Sequence, residues 1–389
     1  MKIKITNKLT KKQFSQALNI FIKFFPIKNK KNGINHFKFY LTNTLNKKNI
    51  IALDEESNLL GIFILLNRRT SFFGKVLKIN NMSYLVVKDQ KNFLVTKKII
   101  DAAMNYVNKN SDLSVQILRK VMSHYWTRYG YIGFTNFNDF ILNENNFDDV
   151  VNFKIEKLNK KNLIYAKNLY KKNNKDQIFS FIRDKSTWGN YLKYINKNKI
   201  EASIIRSKDK VVAYTIVHNN ILKEAVIEKG FEKSVMLFII NLRKKRNNVK
   251  NLLIQLSSGN SIIKSLRKYS HTENLRYVYE GGHTIRIHNM ERFLIKIKSV
   301  IQNRLKQLSP IKFELSINKY RFIWKNRKLV ITSNLTKPDF FLNDENLTKL
   351  MIGVLDPEEL FNANKKNIQF LKIMFPKNFP HLMYLDQLI

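Results

Sequence analysis

The segment from His124 to Tyr131 concentrates side chains that could move a proton. It reads HYWTRYGY, so Tyr125 and Tyr129 bring hydroxyl groups and His124 brings an imidazole. The indole of Trp126 donates a hydrogen bond but cannot act as a general acid at ordinary pH. A lone His at a helix start is more often a cap or a surface group, and the aromatic rings could equally line a core. Proton transfer and plain packing are therefore both open for this segment.

The sequence around this segment predicts two strands and two helices. Met82 to Val87 is a short apolar run of strand length, and Leu113 to Leu118 alternates as a second strand. Ser123 opens a short aromatic helix that stops at Gly130, where the backbone can adopt a positive φ. Between the strands, apolar residues follow the spacing of one helix face: Ile99, Ile100, Ala103, Met104 and Val107. The predicted order is strand, helix, strand, helix.

Similar patterns restart twice along the chain. The 389 residues suffice for two or three hydrophobic cores, and we predict three units: 1–147, 148–285 and 286–389. The polar stretch Asn143 to Asp149 is typical of a linker, and Phe14 to Phe25 predicts an early amphipathic helix. The third unit is predicted to start near His283. The other predicted helices are Phe231–Lys244 and Met290–Leu308. The other predicted strands are Ile50–Leu53, Leu59–Leu66, Ala202–Ile205, Val211–Val217, Phe313–Ile317, Tyr320–Trp324 and Lys328–Ile331.

Five segments make the chain resemble the enhanced intracellular survival (Eis) acetyltransferases of the GNAT superfamily. FFGKVLKINNMSYLVV (72–87) is similar to their hairpin and central strand, and WTRYGY (126–131) to their aromatic, basic, aromatic, Gly, Tyr signature. RDKSTWGNYLKY (183–194) is similar to the entry to their second domain, GGHTIRIHNMERFL (281–294) to the link into their third, and LTKLMIGVLDPEEL (347–360) to a late helix and turn there. The resemblance implies two GNAT-like α/β domains with mixed central sheets and a sterol-carrier-protein-like α+β domain at the C-terminus.

The resemblance also implies acetyl-CoA as a cosubstrate. In this superfamily an Arg-x-x-Gly-x-Gly loop at a helix N-terminus holds the pyrophosphate through backbone amides. Here Asn92 stands at the Arg position, while Val95 and Lys97 stand at the two Gly positions. Either the amides still face the phosphates with help from Lys91, Lys97 and Lys98, or the loop no longer binds CoA. The implied cofactor-binding residues are Leu85, Val86, Val87, Asn92, Phe93, Leu94, Val95, Thr96 and Lys97.

Two proton-transfer groups follow from the same resemblance. The family acid is a Tyr at the position of Trp126, so Tyr125 can substitute for it only if the helix start is rotated or irregular, because helical neighbours point about 100° apart. The family base is the C-terminal carboxylate of the chain, here that of Ile389. Burial of this carboxylate by Leu388 and Ile389 would raise its pKa, as a base requires. Asp386 is a rival base, and a terminal segment docked only for stability is the alternative.

Composition narrows the function classes. The chain has no cysteine, which excludes disulfides, thiolate nucleophiles and Cys-ligated zinc. We expect no metal site. Apolar stretches such as Ile62 to Leu66 and Val235 to Ile240 are far shorter than the ~20 residues that span a bilayer. Residues 1–25 lack the continuous apolar core of a signal peptide. These features predict a cytoplasmic protein.

The net charge admits two interpretations. The chain holds 70 Lys and Arg against 29 Asp and Glu, a formal charge of +41, which could indicate a nucleic-acid or anionic-surface binder. However, basic residues are spread over all three predicted units, with only local clusters such as Lys28 to Lys31 and Arg243 to Arg246. A composition rich in Lys, Asn and Ile explains this spread. We therefore expect no specific nucleic-acid partner, only non-specific binding to polyanions at low salt.

The sequence thus favours one function and leaves another open. The leading hypothesis is an Eis-like N-acetyltransferase that transfers an acetyl group from acetyl-CoA to a primary amine, with Tyr125 and Ile389 as its catalytic residues. We expect such a protein to form a homo-oligomer. The alternative is a catalytically inactive relative that uses the same cleft or its oligomer surface for binding. A third hypothesis is a polyanion-binding protein.

Overall fold

The described strands of the protein form three sheets. The computed structural model describes residues 1–24, 30–43, 46–89, 93–118, 125–133, 136–142, 153–175, 177–247, 253–257, 260–277, 282–308, 312–333, 337–361 and 365–378. Within these ranges no helix is both long and apolar enough to cross a lipid bilayer.

The elements alternate between strands and helices along most of the chain. The first group is β1 (Lys2–Thr6), α1 (Lys11–Phe24), α2 (Lys30–Asn43), β2 (Lys47–Leu53), β3 (Leu59–Phe72), β4 (Lys75–Val87), α3 (Phe93–Asn110), β5 (Leu113–Leu118), β6 (Ile132–Gly133) and β7 (Asn136–Leu142). The second is β8 (Lys154–Lys157), α4 (Leu163–Asn174), β9 (Ile178–Phe181), α5 (Lys185–Lys197), β10 (Glu201–Ser207), β11 (Lys210–His218), β12 (Ile221–Ile227), α6 (Glu232–Asn247), β13 (Leu253–Ser257), α7 (Ser261–Leu266), β14 (His271–Tyr277) and β15 (Gly282–Ile287). The last is α8 (Met290–Leu305), β16 (Phe313–Ile317), β17 (Tyr320–Lys325), β18 (Lys328–Thr332), α9 (Asp344–Met351), α10 (Pro357–Leu360) and α11 (Lys365–Met374).

The first sheet has the order β1-β2-β3-β4-β5-β15-β6, with β9 paired to β3. Helix α3 covers one face, because its apolar stripe packs against the inward side chains of β2, β3 and β4. Helices α1 and α2 cover the other face. Helix α3 lies close to β3 at Gly61. A Cβ atom added to Gly61 would lie only 2.8 Å from Cδ1 of Ile99, so a larger residue would not fit without a shift. The predicted strand, helix, strand order is confirmed, and β4 begins seven residues before the predicted Met82.

Three strands lie in a sheet other than that of a sequence neighbour, and one of them is β9, which pairs with β3 of the first sheet although β8 and β10 belong to the second. Strand β7 pairs with β13 and β14 in the second sheet, whose order is β14-β7-β13-β12-β11-β10-β8. Strand β15 pairs with β5 and β6 in the first sheet, from Gly282 opposite Leu118 to Ile287 opposite Leu113. This exchange interlocks the first two units, since neither sheet is complete without a strand from the other part of the chain. The residue limits of the three predicted units stay a prediction.

An ion pair lies inside the core of the second unit. The guanidinium of Arg183 donates to both carboxylate oxygens of Glu224 at 2.7 and 3.1 Å, and neither side chain is exposed. The Tyr214 hydroxyl also donates to Glu224 at 2.8 Å. The guanidinium carbon lies 4.0 Å from the centroid of the Tyr170 ring and 5.0 Å from that of Trp188. The pair therefore joins the end of β9 to β12 through a closed polar and aromatic cluster.

The third unit packs on the first sheet through α8. Its own sheet has the order β16-β17-β18, and its core is continuous with residues of β4, β5 and β15. The buried carboxylate of Asp112 accepts from Lys296 at 2.7 and 2.8 Å and from the backbone amide of Lys78 at 2.8 Å. Arg292 lies 3.1 Å from the same carboxylate. Asp112 therefore fixes α8 against the loop that precedes β5.

Candidate active site

Strands β4 and β5 separate at a defined point. They pair in parallel from Ile79 opposite Leu113 to Met82 opposite Gln116, after which no further pairing joins them among the described residues. Strand β4 nevertheless continues to Val87, still paired with β3. The divergence opens a cleft between two neighbouring strands of one sheet. At its base the Nε2 amide of Gln116 is buried and has no hydrogen-bond partner among the described residues.

A β-bulge bends β4 where the cleft begins. Phe63 pairs with Leu85 and Ile64 with Ser83, so Tyr84 is the extra residue, and its φ of 54° is in the left-handed region. A bulky residue with this φ is strained, and such strain persists only where the surroundings fix it. The bulge turns the following residues of β4 away from β5.

His36 and three tyrosines surround the bulge on the face covered by α1 and α2. The Nδ1 atom of His36 hydrogen-bonds to the Tyr84 hydroxyl. The His36 ring also lies 4.9 Å from the ring of Tyr40 and 5.5 Å from that of Tyr194 in α5. Burial raises the pKa of the Tyr84 hydroxyl, with the charges of Tyr40 and Tyr194 as smaller causes, so it stays protonated. His36 is a polar group beside the cleft on this face, and it is half-buried.

The N-terminus of α3 faces the end of β4. Phe93 and Leu94 are 77% and 58% exposed, and Lys97 and Lys98 are exposed as well. Val95 is only 5% exposed, because its side chain packs in the core beneath α3. The Val95 side chain therefore points into the core and not to the exposed surface at the helix start, and the role of residues 93–97 in binding acetyl-CoA stays a prediction. Of the implied strand residues, Val86 and Val87 are buried and Leu85 is half-buried.

Replacing Val95 by glycine is expected to destabilise the protein and not to tighten any ligand. The change empties a buried position and places glycine in a helix, so the free energy of unfolding should fall by about 2–3 kcal/mol. Chemical denaturation measures this fall. Leu94→Gly is the matched control, because Leu94 lies in the same turn but is exposed, and only the backbone cost of about 1 kcal/mol should remain. Equal losses in the two variants would contradict the core position of Val95.

The aromatic segment after β5 divides into core and cleft-side residues. Trp126 is 3% exposed and its ring lies 5.4 Å from that of Tyr131 and 5.9 Å from that of Phe63. This confirms the packing interpretation for Trp126. Tyr125 and Tyr129 are half-buried, with their hydroxyl oxygens 3.5 Å apart. Burial, and then the hydrogen bond with Tyr125, raises the pKa of Tyr129.

The turn that ends this segment is fixed from β15. Gly130 has a φ of 72°, as predicted for the helix end, and Arg286 Nη1 donates to the Tyr129 carbonyl at 2.5 Å. The backbone that carries Tyr125 and Tyr129 is thus held against the sheet by a side chain far away in sequence.

A chain of hydrogen bonds runs below the cleft on the α3 face. The Tyr131 hydroxyl lies 2.5 Å from Ser114 Oγ, and Ser114 Oγ lies 2.6 Å from His288 Nε2. His288 Nδ1 lies 2.5 Å from Asn108 Oδ1. Burial, with the charges of Arg286 and Arg292, lowers the pKa of His288 to about 3, so the ring is neutral. It therefore donates to Asn108 and accepts from Ser114.

Some predicted site residues lie outside the described residues. They are Lys91, Asn92, His124, Asp386, Leu388 and Ile389. Within the described ranges, no three His, Asp or Glu side chains are grouped as a metal ion requires. His36, Tyr84 and Gln116 were not predicted from the sequence. The positive φ of Tyr84 and the unpaired amide of Gln116 depend on which strands pair with each other. Local sequence patterns do not show this pairing.

Solved structures share this fold over almost the whole chain. A probable N-acyltransferase of unknown function from Enterococcus faecalis aligns with a TM-score of 0.74 at 14% identity, over 98% of this chain and 99% of its own. A GCN5-related N-acetyltransferase from Anabaena variabilis aligns with a TM-score of 0.70 at 14% identity, covering 97% and 98%. Eis1 from Mycobacterium abscessus aligns with a TM-score of 0.66 at 9% identity, covering 98% and 99%. The chain therefore has the fold of GCN5-related N-acetyltransferases. No protein-family model and no curated protein matches its sequence.

Proposed function

We propose that this protein is an acyl-CoA-dependent N-acyltransferase that acetylates a primary amine, with an Eis-like architecture and a sterol-carrier-like third domain. The observation that carries the proposal is the cleft between β4 and β5, which starts after Met82 and contains the bulge at Tyr84. Such a cleft gives a linear thioester a path between the two strands. A homo-oligomeric state stays a prediction.

The residues present fit acetyl-CoA in part. The buried Nε2 of Gln116 at the base of the cleft has no hydrogen-bond partner among the described residues. A buried donor without a partner costs free energy. An acyl oxygen in the cleft could accept from this donor and so offset that cost. The α3 N-terminus offers first-turn amides and a positive dipole to a pyrophosphate. The exposed Lys97 adds charge there, and the backbone of Leu85 to Val87 runs along the cleft. Acetyl-CoA, when bound, supplies an activated acetyl group.

We propose that the acid and the base act from opposite faces of the first sheet. We propose Tyr125, on the α3 face, as the acid that protonates the departing thiolate, since its hydroxyl is half-buried and Trp126 is in the core. The proposed base is the carboxylate of Ile389, which takes a proton from the substrate's ammonium group so that the neutral amine can attack the thioester carbonyl. His36 is a second candidate base, because it lies beside the bulge on the opposite face from Tyr125.

A binding role without catalysis is the second candidate function. It is favoured by the position of Trp126, which fills the core where the family places its acidic Tyr. Two exposed apolar residues, Phe93 and Leu94, also stand at the helix start. Affinity for acetyl-CoA separates the two functions, because the enzyme requires it.

Calorimetric titration of the full chain with acetyl-CoA is expected to show weak but measurable binding. Replacing Lys97 and Lys98 by Gln should weaken it by roughly threefold each, since exposed charges contribute below about 1 kcal/mol. Lys109→Gln, at the other end of the same helix, is the control and should leave the affinity unchanged. Absence of heat at millimolar acetyl-CoA in the parent protein would favour the binding role over the enzyme.

A further inference from the structure

A second cavity lies between the first and second units, away from the cleft. Its volume is about 970 Å³, within the range of small-molecule sites. It is formed at the end of the first sheet where β2 begins, and it is closed by the segment that enters α5. Tyr106 lines it near the C-terminal end of α3. Phe93, at the other end of that helix, is about 20 Å away, so the cavity is separate from the proposed acetyl-CoA site.

The charged lining of this cavity is almost entirely cationic. Asp184 is the one carboxylate among its lining residues, and its oxygen already accepts from the Thr187 amide and the Thr187 and Ser186 hydroxyls. The basic lining residues are Lys8, Lys47, Lys48, Arg68, Arg69 and Lys78.

Four of these cations form no ion pair with a carboxylate among the described residues. In the part of the chain that the structure describes, no carboxylate lies within 4.0 Å of Lys47, Lys48, Arg69 or Lys78. Elsewhere, single carboxylates such as Asp112 hold two basic side chains. Like charges that converge in a concave surface reinforce one another's potential. An anion entering this cavity would relieve part of the repulsion among these cations.

One of the cations is fixed in place. Lys47 Nζ donates to the carbonyls of Tyr40, at 3.2 Å, and Leu41 at the end of α2. Burial lowers the pKa of Lys47 to about 8, and a bound anion would raise it again. Apolar side chains such as Leu9 and Phe14 also line the cavity. The cavity thus combines cationic groups with apolar surface for an organic group.

We propose that this cavity binds a small organic polyphosphate of about nucleotide size. Several phosphate groups suit several converging Lys and Arg side chains, because phosphate oxygens accept charge-assisted hydrogen bonds from them. The partly enclosed shape favours a small ligand over a nucleic acid, which would need an open basic track. This inference does not depend on the acetyltransferase proposal, since the two sites share no residue.

Calorimetry with inorganic tripolyphosphate tests the proposal on the full chain at about 0.15 M salt, where exposed charges are screened beyond roughly 8 Å. We expect one saturable site. The triple variant Lys48→Gln, Arg69→Gln and Lys78→Gln should weaken the affinity by roughly tenfold or more, because three partly screened contacts are lost. The control triple variant Lys157→Gln, Lys160→Gln and Lys161→Gln removes the same charge from exposed positions elsewhere and should change the affinity less than about twofold.

Two comparisons complete the test. Acetyl-CoA itself carries a phosphorylated nucleotide and can compete for either site, so the two triple variants, and not displacement by acetyl-CoA, locate the bound tripolyphosphate. Equal weakening by the two triple variants or absence of binding at this salt concentration would each overturn the proposal. Preferential binding of a single-stranded RNA over tripolyphosphate, lost in both triple variants, would also overturn it in favour of non-specific polyanion binding.

Discussion

Replacing Arg183 by methionine is expected to lower the free energy of unfolding by about 3–5 kcal/mol. The side chains of Arg183 and Glu224 are both fully buried, so the change leaves a buried carboxylate without its cation. The hydrogen bond from Tyr214 does not replace the cation, because a hydrogen bond to a charged group contributes only about 1.5–3 kcal/mol. Denaturant-induced unfolding followed by tryptophan fluorescence measures the loss, since Trp188 lies against the guanidinium.

An exposed pair provides the matched control. Arg321 and Glu314 also form an ion pair, but their side chains are 42% and 50% exposed, so Arg321→Met should cost less than about 1 kcal/mol. A second variant separates charge from packing: Arg183→Met, Glu224→Leu and Tyr214→Phe together should recover most of the loss, because the buried charges are removed as a pair. Equal effects of Arg183→Met and Arg321→Met would contradict the role assigned to the buried pair.

Local elements of the fold could be predicted from the sequence. The spacing of Ile99 to Val107 predicted α3, and all five residues of that stripe are buried. Strands β5 and β16 have the predicted limits, and α1 starts three residues before the predicted Phe14. These elements are amphipathic or alternate regularly, so the pattern of apolar residues is sufficient to identify them.

Long-range pairing could not be predicted from the same patterns. Nothing local in Gly282 to Ile287 indicates that this strand inserts between β5 and β6, and the segment was expected to begin the third unit. The burial of Arg183 was also unexpected, because a basic residue before a helix is usually exposed. Its position depends on Glu224, which lies on a strand 41 residues later.

The candidate site was predictable only in outline. The sequence located the strand, the helix start and the aromatic segment, but it did not show that the Val95 side chain packs in the core beneath α3. A first-turn residue can face either the ligand or the core, and the rotation of the helix decides between them. His36 was missed because it lies on α2, which no sequence pattern had predicted.

The largest effect on catalysis is expected from removing the groups that carry protons. Deleting Leu388 and Ile389 moves the terminal carboxylate by up to about 7 Å, beyond the hydrogen-bond reach that a general base needs, and Tyr125→Phe removes the proposed acid. Each change should lower kcat/KM by about 10²- to 10⁴-fold while the Kd of acetyl-CoA stays nearly constant. Steady-state kinetics with a primary amine, together with calorimetry, separate the two effects.

Tyr129→Phe is the matched control for the acid, because its hydroxyl lies only 3.5 Å from that of Tyr125. We expect it to reduce the rate far less than Tyr125→Phe, since removing a neighbour's hydrogen bond alters the acid without deleting it. His36→Gln tests the base in the same way. If His36→Gln abolishes turnover and the terminal deletion does not, the base is His36 and the ammonium proton leaves on the α1 and α2 face. An active parent enzyme that is indifferent to all four changes would place the chemistry outside the cleft between β4 and β5.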